Sequence, residues 1–271
     1  MPLPNQMQEV KDFWNKASCG EDLYLKNLDR NGYEAHSKKR YELEPYILEF
    51  VNFNDVKGKR ILEIGIGLGA EHQLFAQGGA DLYGIDLTER AVEHTRRRLS
   101  MFGLYSQLGV GDSENLTFGN ESFDLVYSWG VLHHSPDTAK AVAEVHRVLK
   151  SGGIAKIMIY HKWSLVGLML WFRYALLRLR PWLSLSEIYA SYLESPGTKA
   201  YSVVEAKQLF SDFSDVKINI VLCSGDLLIS DVGQRHRSVL LAVVKKIWPR
   251  AFLKRYFSKF GLFMLIEARK F

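Results

Sequence analysis

"ILEIGIGLGAEHQLFAQGGADLYGID", Ile61 to Asp86, admits two parsings. Gly65, Gly67 and Ala70 fit GxGxxA, the turn by which a strand offers a dinucleotide's pyrophosphate to the start of a helix, and Asp86 stands about twenty residues on, where an acid takes ribose hydroxyls. The same letters spell ExGxGxG, with Glu63 two positions ahead of Gly65 and a third glycine at Gly69. A glycine turn suits either parsing, because a residue without Cβ lets a ligand approach the backbone amides. The sequence on either side has to separate them.

Downstream the chain alternates strands and helices. Arg60 to Ile64 reads as a short buried strand, "AEHQLFAQ" as an amphipathic helix and Leu82 to Ile85 as a second strand. "TERAVEHTRRRLSMFG" is a helix opened by Thr88 as N-cap and closed near Gly103. Ser106 to Val110 and Phe123 to Tyr127 supply strands three and four, "DTAKAVAEVHRVLK" a helix with Asp137 near its cap, and "GGIAKIMIY" strand five. "SVVEAKQLF" is again helical, and "DVKINIVL" and "GLFMLIEARK" are two further strands. The expected fold is α/β: a doubly wound, mostly parallel seven-stranded sheet of the Rossmann-like kind with a helical cap insertion. Residues 36–161 form its core, 162–200 the helical insertion or lid, and 201–271 the completion of the core with basic helices. Residues 1–35 mix aromatics with turn formers and wrap a core rather than form one, and Pro45 breaks the helical stripe running from His36 to Phe50.

The chain has 271 residues, enough for one large α/β domain, and a net charge of +5 that hides an asymmetry: −4 through His161 and +9 beyond it. That basic block is either a solvated surface or the side that meets an anionic partner. Cys19 and Cys223 stand alone with no metal-ligand spacing, and no metal is expected. The polar, turn-rich start lacks a secretory pattern, so a cytoplasmic protein is expected. The apolar run Trp163 to Leu183 is interrupted by Arg173 and Arg178 and ended by Pro181, short of the roughly 20 uninterrupted residues a membrane span needs. With the basic amphipathic stretch Arg235 to Phe260, it leaves peripheral contact with the inner face of an anionic membrane and homo-oligomerisation as the open partner readings, and nucleic acid as none.

Two acids discriminate between the parsings. Glu63 at the end of a buried strand is costly without a compensating group, and a cationic amino-acid tail would compensate it, whereas a pyrophosphate would not. Asp86 suits ribose in either case. Asp112 follows Gly111 at the end of strand three, where an acid accepts from an adenine amino group, so three acids stand at three successive strand ends.

Taken together, "LEIGIGLG", "YGIDLT", "VGDSENLTF", "SFDLVYSWGVLHH" and "EVHRVLKSGG" resemble, in order and spacing, the class I S-adenosylmethionine-dependent methyltransferases of the small-molecule, ubiquinone-methylase-like type, over roughly residues 34–160. The resemblance implies S-adenosyl-L-methionine as cofactor, with Glu63, Gly65, Gly67 and Gly69 around its methionine part, Asp86 and Leu87 at the ribose, Asp112 and Ser113 at the adenine, and Ser128 after strand four. "FWNKASCGE" and "YEAHSKKRYELEPYI" resemble the leader of a bacterial branch of that family, which implies that residues 1–35 cover the cofactor and that Tyr24, Tyr33 and Arg40 contact it. Arg40 would suit the methionyl carboxylate.

Methyl transfer from a sulfonium needs alignment and exclusion of water, and a base only where the acceptor loses a proton. Trp129, His133, His134, Tyr160 and His161 stand near the ends of strands four and five, and the candidate bases are His134, His161 and His133. The acceptor is expected to be a small aromatic or lipid-like molecule. An NAD(P)-dependent oxidoreductase and a catalytically silent membrane adaptor are the alternatives.

Overall fold

The computed structural model describes residues 4–229 and 245–271. One sheet holds seven strands in the order β3-β2-β1-β4-β5-β7-β6. They are β1 (Arg60–Ile64), β2 (Asp81–Asp86), β3 (Gln107–Val110), β4 (Phe123–Trp129), β5 (Leu149–Tyr160), β6 (Ser214–Val221) and β7 (Phe263–Arg269). Only β7 runs antiparallel to its neighbours β5 and β6. The strand order turns back between β1 and β4, the position at which open α/β sheets leave a crevice beyond their carboxyl ends.

Local chemistry sets the element boundaries. The side chain of Thr88 accepts from Ala91 N and opens the helix Glu89–Met101, while Asp137 accepts from Lys140 N ahead of Thr138–Val148. Capping boxes, Ser184 with Glu187 and Ser202 with Glu205, open Leu185–Tyr192 and Val203–Leu209. Pro45 separates the helix Arg30–Leu43 from Tyr46–Phe50, as its steric demand on the preceding residue requires. Strand five starts at Leu149 rather than Gly152, because the chain turns directly from the helix Thr138–Val148 into the sheet.

Two apolar layers flank the sheet. Leu62, Ile64, Val126, Ile157 and Ile266 pack with Val142 and Val145 on one face, and Ile61, Leu82, Tyr127 and Phe75 on the other. The segment before β1 is helical at Pro4–Lys16, which its irregular sequence pattern does not suggest. Arg98, fully buried, ties that leading segment to the core: it donates to Gln73 Oε1 (2.7 Å), to the carbonyls of Leu68 (3.0 Å) and Tyr33 (3.2 Å), and to Ser37.

The inserted region carries the helices Leu165–Tyr174 and Leu185–Tyr192, joined by Leu170, Tyr174, Ala175 and Ile188. Buried Asp226 fastens it to the sheet, accepting from the backbone N–H of Val166 (3.1 Å), Cys223 (2.9 Å) and Leu262 (2.8 Å). No helix among the described residues is long and apolar enough to cross a membrane.

Candidate active site

A single cavity of about 1060 Å³ runs from the glycine turn, along the carboxyl ends of β1, β2 and β4, to the underside of the inserted helices. Gly65, at φ 83°, leads the turn out of β1, and a Cβ there would stand 2.1 Å from Val131 Cγ2. Gly67, at φ 49°, has nothing within 4 Å of its would-be Cβ, so the turn keeps open space beside the backbone. Asp86 braces this turn: one carboxylate oxygen accepts from Gly67 N (3.2 Å), the other from Thr88 N and Thr88 Oγ1 (both 2.9 Å). Burial raises its pKa, with those hydrogen bonds opposing. Leu87, Gly111, Asp112 and Ser113 continue the wall, and Asp112 accepts from Glu114 N at 2.8 Å.

Of the residues singled out in the sequence, Gly65, Gly67, Gly69, Asp86, Leu87, Asp112, Ser113, Tyr24, Arg40, Trp129, His134 and Tyr160 line the cavity. Glu63, Ser128, Tyr33, His133 and His161 are not among its lining residues, and each has a partner or a packing position elsewhere. The Glu63 carboxylate meets His72 Nδ1 at 2.8 Å beneath the turn. Ser128 donates to the Ile64 carbonyl (3.0 Å), joining β4 to β1. Tyr33 OH contacts His94 Nδ1 (3.2 Å), with the Arg98 guanidinium 5.3 Å from its ring. His133 packs on the Tyr160 ring at 3.9 Å, and burial beside His134 and Lys199 holds its pKa well below the usual range. His161 Nδ1 donates to the Gly261 carbonyl at 3.2 Å, fastening the end of β5 to the start of β7.

Three acids reach the cavity that sequence reasoning does not single out: Glu44, Glu71 and Glu194. Arg40 Nε donates to Glu71 Oε1 at 2.6 Å, and its Nη1 lies 3.6 Å from Glu44 Oε2, beyond hydrogen-bond reach. Burial pushes the Glu44 carboxyl up to about 7, against the pull of Arg40 and with the push of Glu71 and Glu194. Its Oε2 is buried without a hydrogen-bond partner among the described residues, which suits a cationic ligand group. The only sequence signal for Glu44 is its place before the helix-breaking Pro45; Glu194, in the insertion, has none.

At the far end, Glu194 Oε2 accepts from Tyr160 OH (2.7 Å) and lies 3.3 Å from His134 Nε2. Ser195 and Thr198 hydroxyls hold His134 Nδ1 at 2.8 and 3.1 Å, and the Trp14 ring stands edge-on to the imidazole at 5.3 Å. Thr198 Oγ1 gives its proton to the Ser195 carbonyl, so its contact with the imidazole is a hydrogen bond only when His134 Nδ1–H donates, and Nε2 then stands near Glu194 without a hydrogen bond among the described residues. His133, His134 and Glu194 also offer ligand atoms within 4.8 Å of one another, a set that could suit a divalent cation. Trp129, Met158 and Phe263 floor this end, Phe13 and Trp14 come from the leading helix, and Leu168, Met169 and Phe172 from the insertion, making the arm mostly apolar.

Residues 62–157 match the family model "Methyltransferase domain". The chain is 40% identical over 101 residues to phthiotriol/phenolphthiotriol dimycocerosates methyltransferase of Mycobacterium leprae, covering 36% of this chain and 37% of that one. It is 33% identical over 159 residues to ubiquinone biosynthesis O-methyltransferase of Hahella chejuensis, covering 56% and 60%. The chain thus spans between about a third and three fifths of these relatives' length. Its fold is that of phosphoethanolamine N-methyltransferase 2 of Haemonchus contortus, solved with S-adenosyl-L-methionine: TM-score 0.63 at 18% identity, covering 96% of this chain and 60% of that one.

Proposed function

We propose, from a chain whose residues 62–157 belong to the methyltransferase domain family, that the whole protein is an S-adenosylmethionine-dependent methyltransferase acting on a small apolar acceptor, aromatic or lipid-like. One observation carries this reading: the cavity at the glycine turn and the acidic strand ends continues without a wall into the apolar arm that ends at Trp129, Tyr160 and Glu194.

The residues present suit the cofactor. Asp86 offers carboxylate oxygens to ribose hydroxyls, Asp112 and Ser113 face the adenine position, and the open space at Gly67 admits a ligand against the backbone. Glu44 and Glu71 supply negative charge for a cationic amino-acid tail, and Arg40 a partner for its carboxylate. When bound, S-adenosylmethionine supplies a methyl group on a positively charged sulfur, a leaving group already activated. The protein's work is then to position and to exclude water. Phe13, Trp14, Trp129 and Met158 do the latter.

For an acceptor that loses a proton, a hydroxyl or a protonated amine, the Glu194 carboxylate takes it. Tyr160 OH fixes the orientation of that carboxylate, and His134 Nε2 stands 3.3 Å from it. Glu194 therefore replaces the histidines as the leading base, and Tyr160 becomes the residue that positions it.

The test is incubation of the protein with methyl-labelled cofactor and cell extract, followed by mass spectrometry of the labelled products. Label in an apolar, solvent-extractable compound is expected. Tight NADPH binding with none of S-adenosylmethionine or its demethylated product would replace the reading with an oxidoreductase.

A further inference from the structure

The segment closing the apolar end of the cavity presents its own large side chains to solvent. After the helix Leu165–Tyr174 the chain makes a short turn, Leu176–Arg178, and ends it on Leu179 at φ 57°, a left-handed conformation that ordinarily falls to glycine. Leu179 is 82% exposed and Trp182, just past Pro181, 74%. A strained turn that holds a leucine out into water works against burial, and such apolar tips mark contact surfaces. Arg173, Arg178 and Arg180 interleave with these residues. The first two guanidinium groups lie 5.2 and 5.0 Å from the Tyr174 ring, and none of the three forms an ion pair among the described residues. Phe172 and Leu177 are both exposed to solvent and part of the cavity wall, so the tip is continuous with the mouth of the apolar arm.

We propose that the segment Phe172–Trp182 rests on an anionic lipid bilayer. Leu177, Leu179 and Trp182 sit among the upper acyl chains, the arginines meet lipid phosphates, and an apolar acceptor passes from the bilayer through the mouth into the cavity. Charge complementarity selects this occupant: a second copy docking by the same patch would bring its arginines against these. The bilayer contact deepens the apolar-acceptor reading but is tested apart from it. The stretch Arg235 to Phe260, the other basic candidate in the sequence, lies partly outside the described residues.

Sedimentation of the full chain with vesicles decides it. Expected is binding to phosphatidylcholine vesicles carrying roughly 30% phosphatidylglycerol, weakening as salt rises, and little binding to phosphatidylcholine alone. The double variants Leu179→Glu/Trp182→Glu and Arg178→Glu/Arg180→Glu should each bind about tenfold or more weakly. None of these four residues lines the cavity, so calorimetric binding of S-adenosylhomocysteine should be unchanged in both, which also reports that they fold. Absence of wild-type binding to anionic vesicles, equal binding to both vesicle types, or variants that bind like wild type would overturn the proposal. So would a dimer in light scattering, dispersed by Leu179→Glu, in a protein that ignores vesicles. If wild type fails to bind S-adenosylhomocysteine, the cofactor reading falls and sedimentation still decides the bilayer contact.

Discussion

The carboxylate of Glu63 and Nδ1 of His72 lie 2.8 Å apart, buried beneath the glycine turn. Ser106 fixes the proton between them. Its hydroxyl donates to the Leu82 carbonyl, so Ser106 Oγ must accept from His72 Nε2–H, and one proton is left for the Glu63–Nδ1 contact. Burial drives both partners toward neutrality, raising Glu63 well above the carboxylate range and lowering His72 to about 3. The acid of the ExGxGxG motif is thus a brace between β1, the following helix and the chain ahead of β3.

Glu63→Ala should therefore act on stability. It leaves His72 Nδ1 buried and unpaired, at a cost of about 1–3 kcal/mol, with a cavity adding to it. Urea unfolding should show a lowered midpoint in Glu63→Ala. Affinity of Glu63→Gln for S-adenosylhomocysteine, measured by calorimetry, should stay within tenfold of wild type. A loss of hundreds-fold there would return Glu63 to the ligand.

Asp86→Ala should behave in the opposite way. The carboxylate stands in the cavity wall, and losing charged hydrogen bonds to a ribose, worth about 1.5–3 kcal/mol each, should weaken S-adenosylhomocysteine tenfold or more for each bond lost. The same residue also braces Gly67 and Thr88, so Asp86→Asn, which keeps one acceptor oxygen, should recover thermal stability more than affinity. Full retention of affinity in Asp86→Ala would sink the assigned cofactor orientation.

What the sequence made legible follows the range of the interactions. Strands, caps and the glycine turn depend on near neighbours, and the alternation from Arg60 to Tyr160 is visible because each buried strand and amphipathic helix writes its own period. Asp86 and Asp112 were legible because their distance from strand ends is fixed along the chain. The contact of Glu63 with His72 was not legible, because the motif fixes the backbone position of Glu63 and says nothing of His72, a neighbour only once the helix after the turn folds over the strand. Glu194 was invisible for the same reason: its contacts with Tyr160 and His134 join residues at least 34 positions apart, and the insertion carrying it has no strand period to anchor a register.

Glu44 gives a pH dependence with a definite sign. Its folded pKa is about 7 against an ordinary 4.5, so the folded protein binds this proton more tightly than the unfolded chain does. The contribution is fully favourable below about pH 4.5, declines as pH rises, and levels off above about pH 7, for a total near 3 kcal/mol. Between pH 5.5 and pH 8, ligand-free protein should lose about 2 kcal/mol from this group. Glu44→Gln cannot ionise, and urea unfolding at the two pH values should show that difference shrink. An unchanged difference would place the Glu44 carboxyl in an environment closer to water than its burial indicates.

Glu194→Gln should separate chemistry from cofactor binding. Once a labelled acceptor is in hand, removing the carboxylate should lower the rate of methyl transfer by about 10²–10⁴, the usual worth of a positioned base, with S-adenosylhomocysteine affinity retained. Tyr160→Phe removes the hydroxyl that orients Glu194 but leaves the carboxylate itself, and should be milder. A Glu194→Gln enzyme as fast as wild type would mean that the acceptor gives its proton to water or carries none to lose.

Arg98 offers the sharpest test of how the leading segment is held. Burial lowers its guanidinium pKa to about 10, so it stays charged at neutral pH although the acceptors it donates to are the neutral Gln73, Leu68, Tyr33, His36 and Ser37. Three of those acceptors, Tyr33, His36 and Ser37, lie on the helix Arg30–Leu43, and a fourth is the Leu68 carbonyl inside the glycine turn. Replacing Arg98 with alanine strands the carbonyls and opens a void between that helix and Glu89–Met101, a loss of about 2–5 kcal/mol. Arg98→Lys retains charge but has too short a reach and too few donors for the same set, and should recover less than half of the loss. The link to the turn adds a second expectation. Because Leu68 stands between Gly67 and Gly69, S-adenosylhomocysteine affinity should fall together with unfolding free energy in the Arg98 variants, whereas in Glu63→Ala the two should part. Parallel urea titration and calorimetry on the three variants would show whether the leading helix and the turn behave as one unit.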